Sequence, residues 1–511
     1  MENRIPQTYV LIPDSGPSTA SKDSDLPVWK ESYPQITGAF LVHMLCIQAG
    51  INMAFSAILV PQLRKENSSI KLETWEEALI ASLVTISLPI GSLLCGPLMD
   101  RYGRKNVSLC ICIPYLTSWI MIFWAYDVVW LYAARALAGA AGGLSSVAIF
   151  YTSEIAHPVW RPMLLGLNSL FVSFGILLTA VFGLFFHWRT IAVIFGILSA
   201  LIFVLITTLP ESPHWLLSFK NGTQDLRRVQ LARKSLRWFI RNDVVSIPSL
   251  RHELPAQFVI VFLFFFSHLQ KAERELNNLL TIYRARAVNS TVNETFRQKL
   301  RSFQKPEIWK PIVLLLVVFF FQQNSGSYVI IFYAVTLFAE LGGQFGFVDE
   351  YGAMALLGVI RFVMAAVALL LSRRYGRRTL MMVSGFGMGA TILVASALMQ
   401  FMQSDNRIPV LIFVLLFVCF AAIGWQIIPW ALTGEMLPTR IKALVGGILI
   451  SYTYVLMFGV VQTFPLLINL IHAKGAFLSF SVFSLAGTAL VWKCLPETFG
   501  KTLVEIEQAF K

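Results

Sequence analysis

The sequence predicts an all-α membrane protein built from two halves with the same layout. Its 511 residues are 56% hydrophobic and only 14% charged, a composition outside the usual range of soluble domains. Apolar runs of about 20 residues recur, each long enough as a helix to cross roughly 30 Å of hydrocarbon. Three short charged motifs also occur twice, in the same order, at the ends of such runs.

Twelve apolar runs are predicted to span the bilayer as helices, because a helix satisfies its own backbone polar groups in hydrocarbon. They lie at about residues 37–60, 77–98, 107–125, 128–151, 163–186, 190–208, 311–339, 351–372, 379–402, 408–433, 442–468 and 475–493. Six lie on each side of a long charged segment, which predicts two six-helix bundles.

The repeated motifs lie at corresponding places in the two halves. The first is GPLMDRYGRK and LLLSRRYGRRTL, the second is SEIAHPVWRPMLLG and GEMLPTRIKALVGG, and the third is LPESPHWLL and LPETFGKTL. The separation along the chain is nearly the same for the three pairs. Two parallel halves with a site between them are typical of a secondary transporter.

Charge placement predicts the topology. Residues 210–310 hold 17 Lys and Arg against 8 Asp and Glu, whereas the loops on the opposite side are neutral to acidic. By the positive-inside rule, this loop and both termini are cytosolic, so the net charge of +13 needs no nucleic-acid partner. The predicted units are a disordered tail 1–35, a bundle 36–209, a helical linker 210–310, a bundle 311–494 and a tail 495–511.

The sequence also indicates where modification is possible and whether a metal site is. Asn67 begins a sequon in the first exterior loop and is a candidate for glycosylation. The six cysteines lie in or at the ends of spans, and none of them forms a pair with metal-ligand spacing. We expect no metal, no other cofactor and no enzymatic activity.

The paired motifs resemble those of the sugar porters of the major facilitator superfamily, and the layout is most similar to the facilitated trehalose transporters of insects. The resemblance covers residues from about 35 to 508. It implies a multi-pass carrier of the plasma membrane, functional as a monomer in the lipid bilayer. A small sugar would be held between the two bundles and exposed to either side in turn.

The resemblance also implies a role for the charged motifs as salt bridges between the halves that close the cytosolic side. The groups concerned are Arg104, Lys105, Glu154, Arg161, Glu211, Arg377, Arg378, Glu435, Arg440 and Glu497. The alternative is that these arginines only fix topology. Arg373 stands where the family usually has an acid, which makes the second cluster more positive than usual.

Several residues are candidates for substrate binding. Gln322 and Gln323 are consecutive amides inside an apolar run, and amides both donate to and accept from sugar hydroxyls. Trp430 falls on the family's pocket tryptophan, and Tyr454 replaces another tryptophan but can still stack on a sugar ring. Gly424 and Pro429 interrupt the helix around them and make it a candidate moving element.

Three further pocket positions depart from the family, because Ser169, Tyr328 and Arg361 stand where amides are usual. A buried Arg361 is costly without a partner. Either it extends outward towards Asp349 and Glu350, or it faces an anionic or polyhydroxy ligand.

Arg135, inside the fourth span, is a second buried charge and should be paired or face an aqueous cavity. The small residues 139–143 that follow it favour close helix packing.

The first predicted span indicates whether transport is coupled to protons. Residues 37–60 contain no Asp or Glu, whereas proton-driven members of the family carry an acid there, so facilitated diffusion is expected. The alternatives are a proton-coupled sugar or polyol symporter and a non-transporting sugar sensor. The apolar segment 258–269 in the linker is too short to span the bilayer. It is either a packed cytosolic helix or an interfacial segment, or else residues from about 250 to 269 are a retained intron.

Overall fold

The computed structural model describes residues 32–64, 72–157, 160–218, 225–240, 272–281, 283, 306–340, 350–372, 374–401, 408–437 and 442–498. Within these ranges the chain is helical and contains no strand. Asn67, Arg373, Arg440, the apolar segment 258–269 and both predicted tails fall wholly or mostly outside the described residues.

The described residues of the first half form seven helices, and α8 and α9 follow in the linker. Their bounds are α1 Tyr33–Leu63, α2 Thr74–Tyr102, α3 Arg104–Phe123, α4 Val128–Leu144, α5 Val147–Ile155, α6 Arg161–Phe185, α7 Trp188–Thr207, α8 Pro213–Leu217 and α9 Leu226–Phe239.

The described residues of the second half form eight helices. Their bounds are α10 Pro306–Asn324, α11 Val329–Phe332, α12 Ala334–Glu340, α13 Glu350–Leu371, α14 Arg377–Phe401, α15 Ile408–Ile423, α16 Ile428–Met436 and α17 Lys442–Cys494. In α17 the backbone leaves helical geometry at His472, with φ 57° and ψ 172°, so this element covers the last two predicted spans.

Ten of the described helical segments are long and apolar enough to cross a membrane. Val445–Cys494 covers two predicted spans, and Ile308–Asn324 is a shorter apolar helix at the start of the seventh. Every predicted span therefore has a helical counterpart, while the count of twelve crossings stays a prediction.

Three predicted spans are broken in the middle. The fourth is divided between α4 and α5, and the tenth between α15 and α16, where Gly424 lies. The seventh is divided into α10, α11 and α12, with Gly326 at φ +80°, a backbone conformation that other residues rarely adopt. The unwound turns leave backbone groups near the centre of the protein, which is tolerated only where they are buried in protein or line a cavity.

Helices pack closely within each half and between the halves. Within the halves α1 packs on α6, α2 on α4, and α14 on α15 and α17, while α2–α17 and α6–α13 join the two halves. A Cβ at Gly139 or Gly143 of α4 would lie 2.3 and 2.0 Å from backbone oxygens of α2, so these positions require glycine. This contact gives the small-residue run a packing role.

A small second core lies in the linker. Leu216, Leu217 and Leu236 are buried against Leu276 and Leu279 from the helical residues 272–281. The linker is therefore helical in its described parts, as its sequence predicts. We call the end of the bundle that carries Gly103, Gly376 and this linker core the motif end.

Candidate functional site

A cavity lies between the two halves, where the broken helices face each other. It encloses about 120 Å³, room for several water molecules. The first half contributes residues of α1, α2, α4, α5 and α6, the second half contributes residues of α13, α15, α16 and α17, and both contribute residues of the helix breaks. A solute in this cavity would touch both halves at once.

Five of the seven predicted substrate-binding residues line the cavity. They are Ser169, Tyr328, Arg361, Trp430 and Tyr454. They come from four separate helices and one helix break, so only the packed fold brings them together.

The aromatic wall is held in place by its own contacts. Trp430 Nε1 donates to Tyr328 Oη at 3.3 Å, which fixes the indole ring across the break between α10 and α11. The rings of Trp430 and Tyr454 have centroids 5.7 Å apart, and the ring of Phe319 packs on Trp430 at 5.3 Å. The cavity thus has an aromatic surface on its second-half side that suits the C–H faces of a sugar ring.

Arg361 is the charged residue among the described residues of this wall. Its side chain is only 5% exposed, its Nη1 donates to Gln426 Oε1 at 2.5 Å, and its Nε is buried without a hydrogen-bond partner. The structure therefore places Arg361 on the cavity rather than at the end of α13. Gln426 is a partner that sequence reasoning did not identify.

Gln322 and Gln323 are placed differently from the other candidates. Both are almost fully buried, and neither lines the cavity. Gln322 Nε2 donates to the backbone oxygen of Trp425 at 2.5 Å, where α15 breaks, and Gln323 Nε2 donates to Gln322 Oε1 at 3.4 Å. In this structure Gln322 joins two broken helices, and Gln323 Oε1 lacks a partner among the described residues.

The first-half wall carries polar groups that the sequence did not single out for binding. Asn168 Oδ1 accepts from Cys46 Sγ at 3.0 Å, and Ser173 lies about one helical turn beyond Ser169 along α6. Asn52 Nδ2 donates to Gln48 O at 2.9 Å. Its buried Oδ1 has no donor among the described residues. The spacing of Asn168, Ser169 and Ser173 on one helix was the available signal.

Arg135 is fully buried away from the cavity. Its Nη2 donates to Ser56 Oγ of α1, its Nε donates to Ile80 O of α2 at 3.4 Å, and its guanidinium lies 5.9 Å from the centroid of the Phe55 ring. No carboxylate pairs with it among the described residues. The α1 side chain that it meets is therefore a hydroxyl, which does not titrate.

The charged motifs of the first half form one connected cluster at the motif end. Arg104 Nη2 lies 2.7 Å from Glu154 Oε1, and Ser212 Oγ donates to Glu154 Oε2. Glu211 accepts from the backbone N–H groups of Arg104 at 2.9 Å and of Lys105 at 3.1 Å, and so caps the start of α3.

The second half repeats this cap. Glu497 accepts from the backbone N–H groups of Arg377 at 2.8 Å and Arg378 at 3.2 Å, at the start of α14. A Cβ at Gly376 would lie 2.2 Å from Glu497 Oε2, and one at Gly103 would lie 2.4 Å from Glu211 Oε2. In both motifs, therefore, the glycine makes room for the carboxylate of the third motif.

Among the described residues these contacts lie within each half, and the expected salt bridges between the halves stay a prediction. In the first half, Arg104 bonds Glu154 and Arg161 Nη2 donates to Ala156 O at 3.2 Å. In the second half, Arg377 Nη1 donates to Ser372 O at 3.0 Å. No ion pair links described residues of opposite halves. The carboxylates of Glu211 and Glu497 bond within their own halves because helix starts offer unpaired N–H groups close to each of them. The side chain of Glu435 and all of Arg440 lie outside the described residues.

Burial shifts the pKa of two of these groups. Burial raises the pKa of the Glu211 carboxyl above its ordinary value, and the hydrogen bonds from Ser212, Lys105 and Arg104 oppose this only in part. Burial also lowers the pKa of Arg161.

The described residues contain no group of three or more potential metal ligands.

A helical membrane protein with two repeated halves around a central cavity belongs to the class of alternating-access transporters. The chain belongs to the family described as "Sugar (and other) transporter", whose profile matches residues 39–510. This confirms the resemblance drawn from the motifs, and the family is one of transporters rather than enzymes.

Curated relatives and solved structures agree with this membership. The chain is 28% identical to a facilitated trehalose transporter of Bombyx mori, over 99% of this chain and 94% of the relative. It is 27% identical to a facilitated trehalose transporter of Culex quinquefasciatus, over 94% of this chain and 87% of the relative. The fold matches the proton:xylose symporter XylE bound to 6-bromo-6-deoxy-D-glucose with a TM-score of 0.69 and 20% identity, over 94% of this chain and 100% of that one.

Proposed function

We propose that the chain is a facilitative sugar carrier, with trehalose and hexoses as the first candidate substrates, working by alternating access between its two halves. The observation that carries this proposal is the cavity, whose polar first-half wall and aromatic second-half wall face each other. A sugar that bonds both walls couples its own binding to the relative position of the halves. The names of the curated relatives support trehalose as a substrate to test.

The contacts between the halves suit a structure that must reopen. Ser82 Oγ donates to Gln462, and the hydroxyls of Ser92 and Ser451 lie 3.0 Å apart across the interface of α2 and α17. Neutral hydrogen bonds of this kind contribute about 1 kcal/mol each, so they can be broken in every cycle. The caps on α3 and α14 stay within their own halves and would move as rigid parts of them.

Uncoupled transport is supported by the surroundings of Arg135. Proton coupling requires a group that gains and loses a proton during the cycle. The α1 group that contacts Arg135 is the Ser56 hydroxyl, and the described residues of α1 include no carboxylate.

The motif end, rich in arginine, would face the cytosol by the positive-inside rule. We propose a monomer in the plasma membrane with cytosolic termini, and glycosylation at Asn67.

The proposal is tested by uptake of labelled trehalose and glucose into cells that express the chain. Saturable uptake that does not respond to an imposed pH gradient is expected, and Trp430→Ala should raise KM by about tenfold or more through the loss of ring stacking. Trp124→Ala is the matched control, because Trp124 is 69% exposed and outside the cavity. Absence of uptake of either sugar by protein at the cell surface would refute this substrate range.

A further inference from the structure

The charge of the cavity wall is unbalanced. Arg361 is the charged side chain among the described residues that line it, and no Asp, Glu, Lys or His occurs with it there. The side chain is 5% exposed, so water screens its charge poorly. Burying a cation in this way costs several kcal/mol unless an anion accompanies it.

The hydrogen-bonding capacity of Arg361 is also mostly unused. A guanidinium carries five N–H donors, and the described residues provide an acceptor for one nitrogen, through Gln426. The Gln426 contact occupies Nη1, Nε is buried without an acceptor among the described residues, and no bond from Nη2 to a described residue is present, so the edge formed by Nε and Nη2 is left for a ligand. Two parallel N–H groups on one edge match the two oxygens of a carboxylate.

Neighbouring groups add a further donor. The Tyr328 hydroxyl accepts a hydrogen bond from Trp430, so its own O–H remains available to donate to a ligand. The wall around Arg361 therefore provides donors, which suits an anion. A single carboxylate would balance the single positive charge, whereas a phosphate dianion would leave the cavity with an excess negative charge.

The opposite wall suits hydroxyl groups. Asn52 offers an unpaired, buried Oδ1 as an acceptor, and Ser169 and Ser173 present hydroxyls from α6. A ligand that satisfies both walls carries a carboxylate at one end and hydroxyls at the other. A small inorganic anion or a simple carboxylate would leave the first-half wall unsatisfied.

From this arrangement we infer that the carrier prefers a sugar acid with one carboxylate, such as a hexuronate, over its neutral counterpart. The carboxylate binds the free edge of Arg361 and the Tyr328 hydroxyl, and the ring stacks on Trp430. The inference rests on the proposed carrier function and specifies its substrate class. A uniported monoanion carries one negative charge across the membrane, so its equilibrium distribution changes by roughly 50-fold per 100 mV.

The test uses the full-length protein in proteoliposomes with labelled D-glucuronate, labelled D-glucose and an imposed membrane potential. We expect saturable glucuronate uptake that follows the potential, with glucose competing weakly and acetate, a carboxylate without hydroxyls, competing still more weakly. Arg361→Gln should weaken glucuronate binding by about 10- to 100-fold and leave glucose binding unchanged or tighter. Arg237→Gln, at an exposed linker position, is the control for loss of a positive charge.

Each outcome has a separate meaning. Glucose transport without glucuronate transport or competition overturns the inference and leaves the carrier function intact. Equal competition by acetate and glucuronate also overturns it, because the hydroxyl-facing wall would then have no role. Transport of neither solute by reconstituted wild-type protein overturns both. If Arg361→Gln does not fold, the potential dependence of wild-type uptake and the thermal stabilisation of wild-type protein by glucuronate decide the matter.

Discussion

The Glu497 carboxylate accepts the backbone N–H of Arg377 at 2.8 Å and caps α14, as Glu211 caps α3 at the equivalent place in the first half. Each carboxylate satisfies N–H groups that have no partner within their own helix. The repeated charged motifs thus have a structural role in both halves, independent of any contact between the halves.

Removal of either cap should destabilise the protein. We expect Glu211→Ala and Glu497→Ala each to lower the free energy of unfolding by about 2 kcal/mol, because the bonds from helix-start N–H groups to the carboxyl oxygens are lost. Asp100→Ala is the control: its side chain is 81% exposed and lies 3.8 Å from Arg104, so its loss should have little effect. Thermal unfolding in detergent measures the difference, and equal effects at the three positions would contradict the cap.

The raised pKa of Glu211 predicts a pH dependence of stability. Because its pKa is higher in the folded protein, the folded state binds the proton more tightly than the unfolded state. The contribution of this group is full below its ordinary pKa of 4.5 and declines as the pH rises towards the raised value. Glu211→Gln does not titrate at this position, so it serves as the reference. The thermal unfolding midpoint of the wild-type protein minus that of Glu211→Gln should fall as the pH rises across this window. A difference that rises with pH would show that the charged form is the stabilised one.

The two motif glycines should be intolerant of a side chain. Gly103 has φ +91°, and its Cβ would lie 2.4 Å from Glu211 Oε2, so Gly103→Ala adds both backbone strain and a clash. We expect a loss of about 1 to 3 kcal/mol. The loss for Gly376→Ala should be smaller, because the clash with Glu497 Oε2 acts there without a positive φ. Gly446→Ala is the matched control in α17, because its Cβ would meet no atom within 4 Å. A destabilised Gly446→Ala with an unaffected Gly103→Ala would refute this account.

Much of the fold could be predicted from the sequence because hydrocarbon restricts the possibilities. Apolar length identifies the helices, and the repeated motifs identify the two halves. The family membership and the fold are confirmed. Of the site, Trp430 could be predicted because its position is fixed by the motif that contains Gly424, and Tyr454 because it stands in the eleventh predicted span where the family commonly has a tryptophan.

The orientation of polar side chains could not be predicted in the same way. Gln322 lies in a span that breaks at Gly326, and the break decides which face of the helix meets the cavity. Gln426 was not recognised as the acceptor for Arg361 because it lies in the break between α15 and α16, 65 positions from Arg361 along the chain. Charge patterns also showed which groups gather at the motif end, but not that the carboxylates would bond backbone N–H groups.

The contact between Arg135 and Ser56 predicts the effect of adding a carboxylate. Ser56→Asp would give the buried guanidinium an anionic partner, so the thermal unfolding midpoint should rise. Ser199→Asp is the matched control, because Ser199 is 2% exposed and its hydroxyl has no partner, so a carboxylate there is buried and unpaired. The midpoint of this control should fall. Equal loss of stability in both variants would show that Arg135 does not need an anion.

Cys46 provides a direct probe of the cavity. It lines the cavity, is 2% exposed and donates from Sγ to Asn168 Oδ1, whereas Cys112 is similarly buried, at 3%, outside the cavity. With the exposed Cys110 and Cys494 replaced by serine, a transported ligand at ten times its Kd should slow alkylation of Cys46 by about tenfold through competition for the same space. Alkylation of Cys112 should keep its rate. Mass spectrometry of labelled peptides measures both; equal protection of the two thiols would indicate general stabilisation rather than occupation of this cavity.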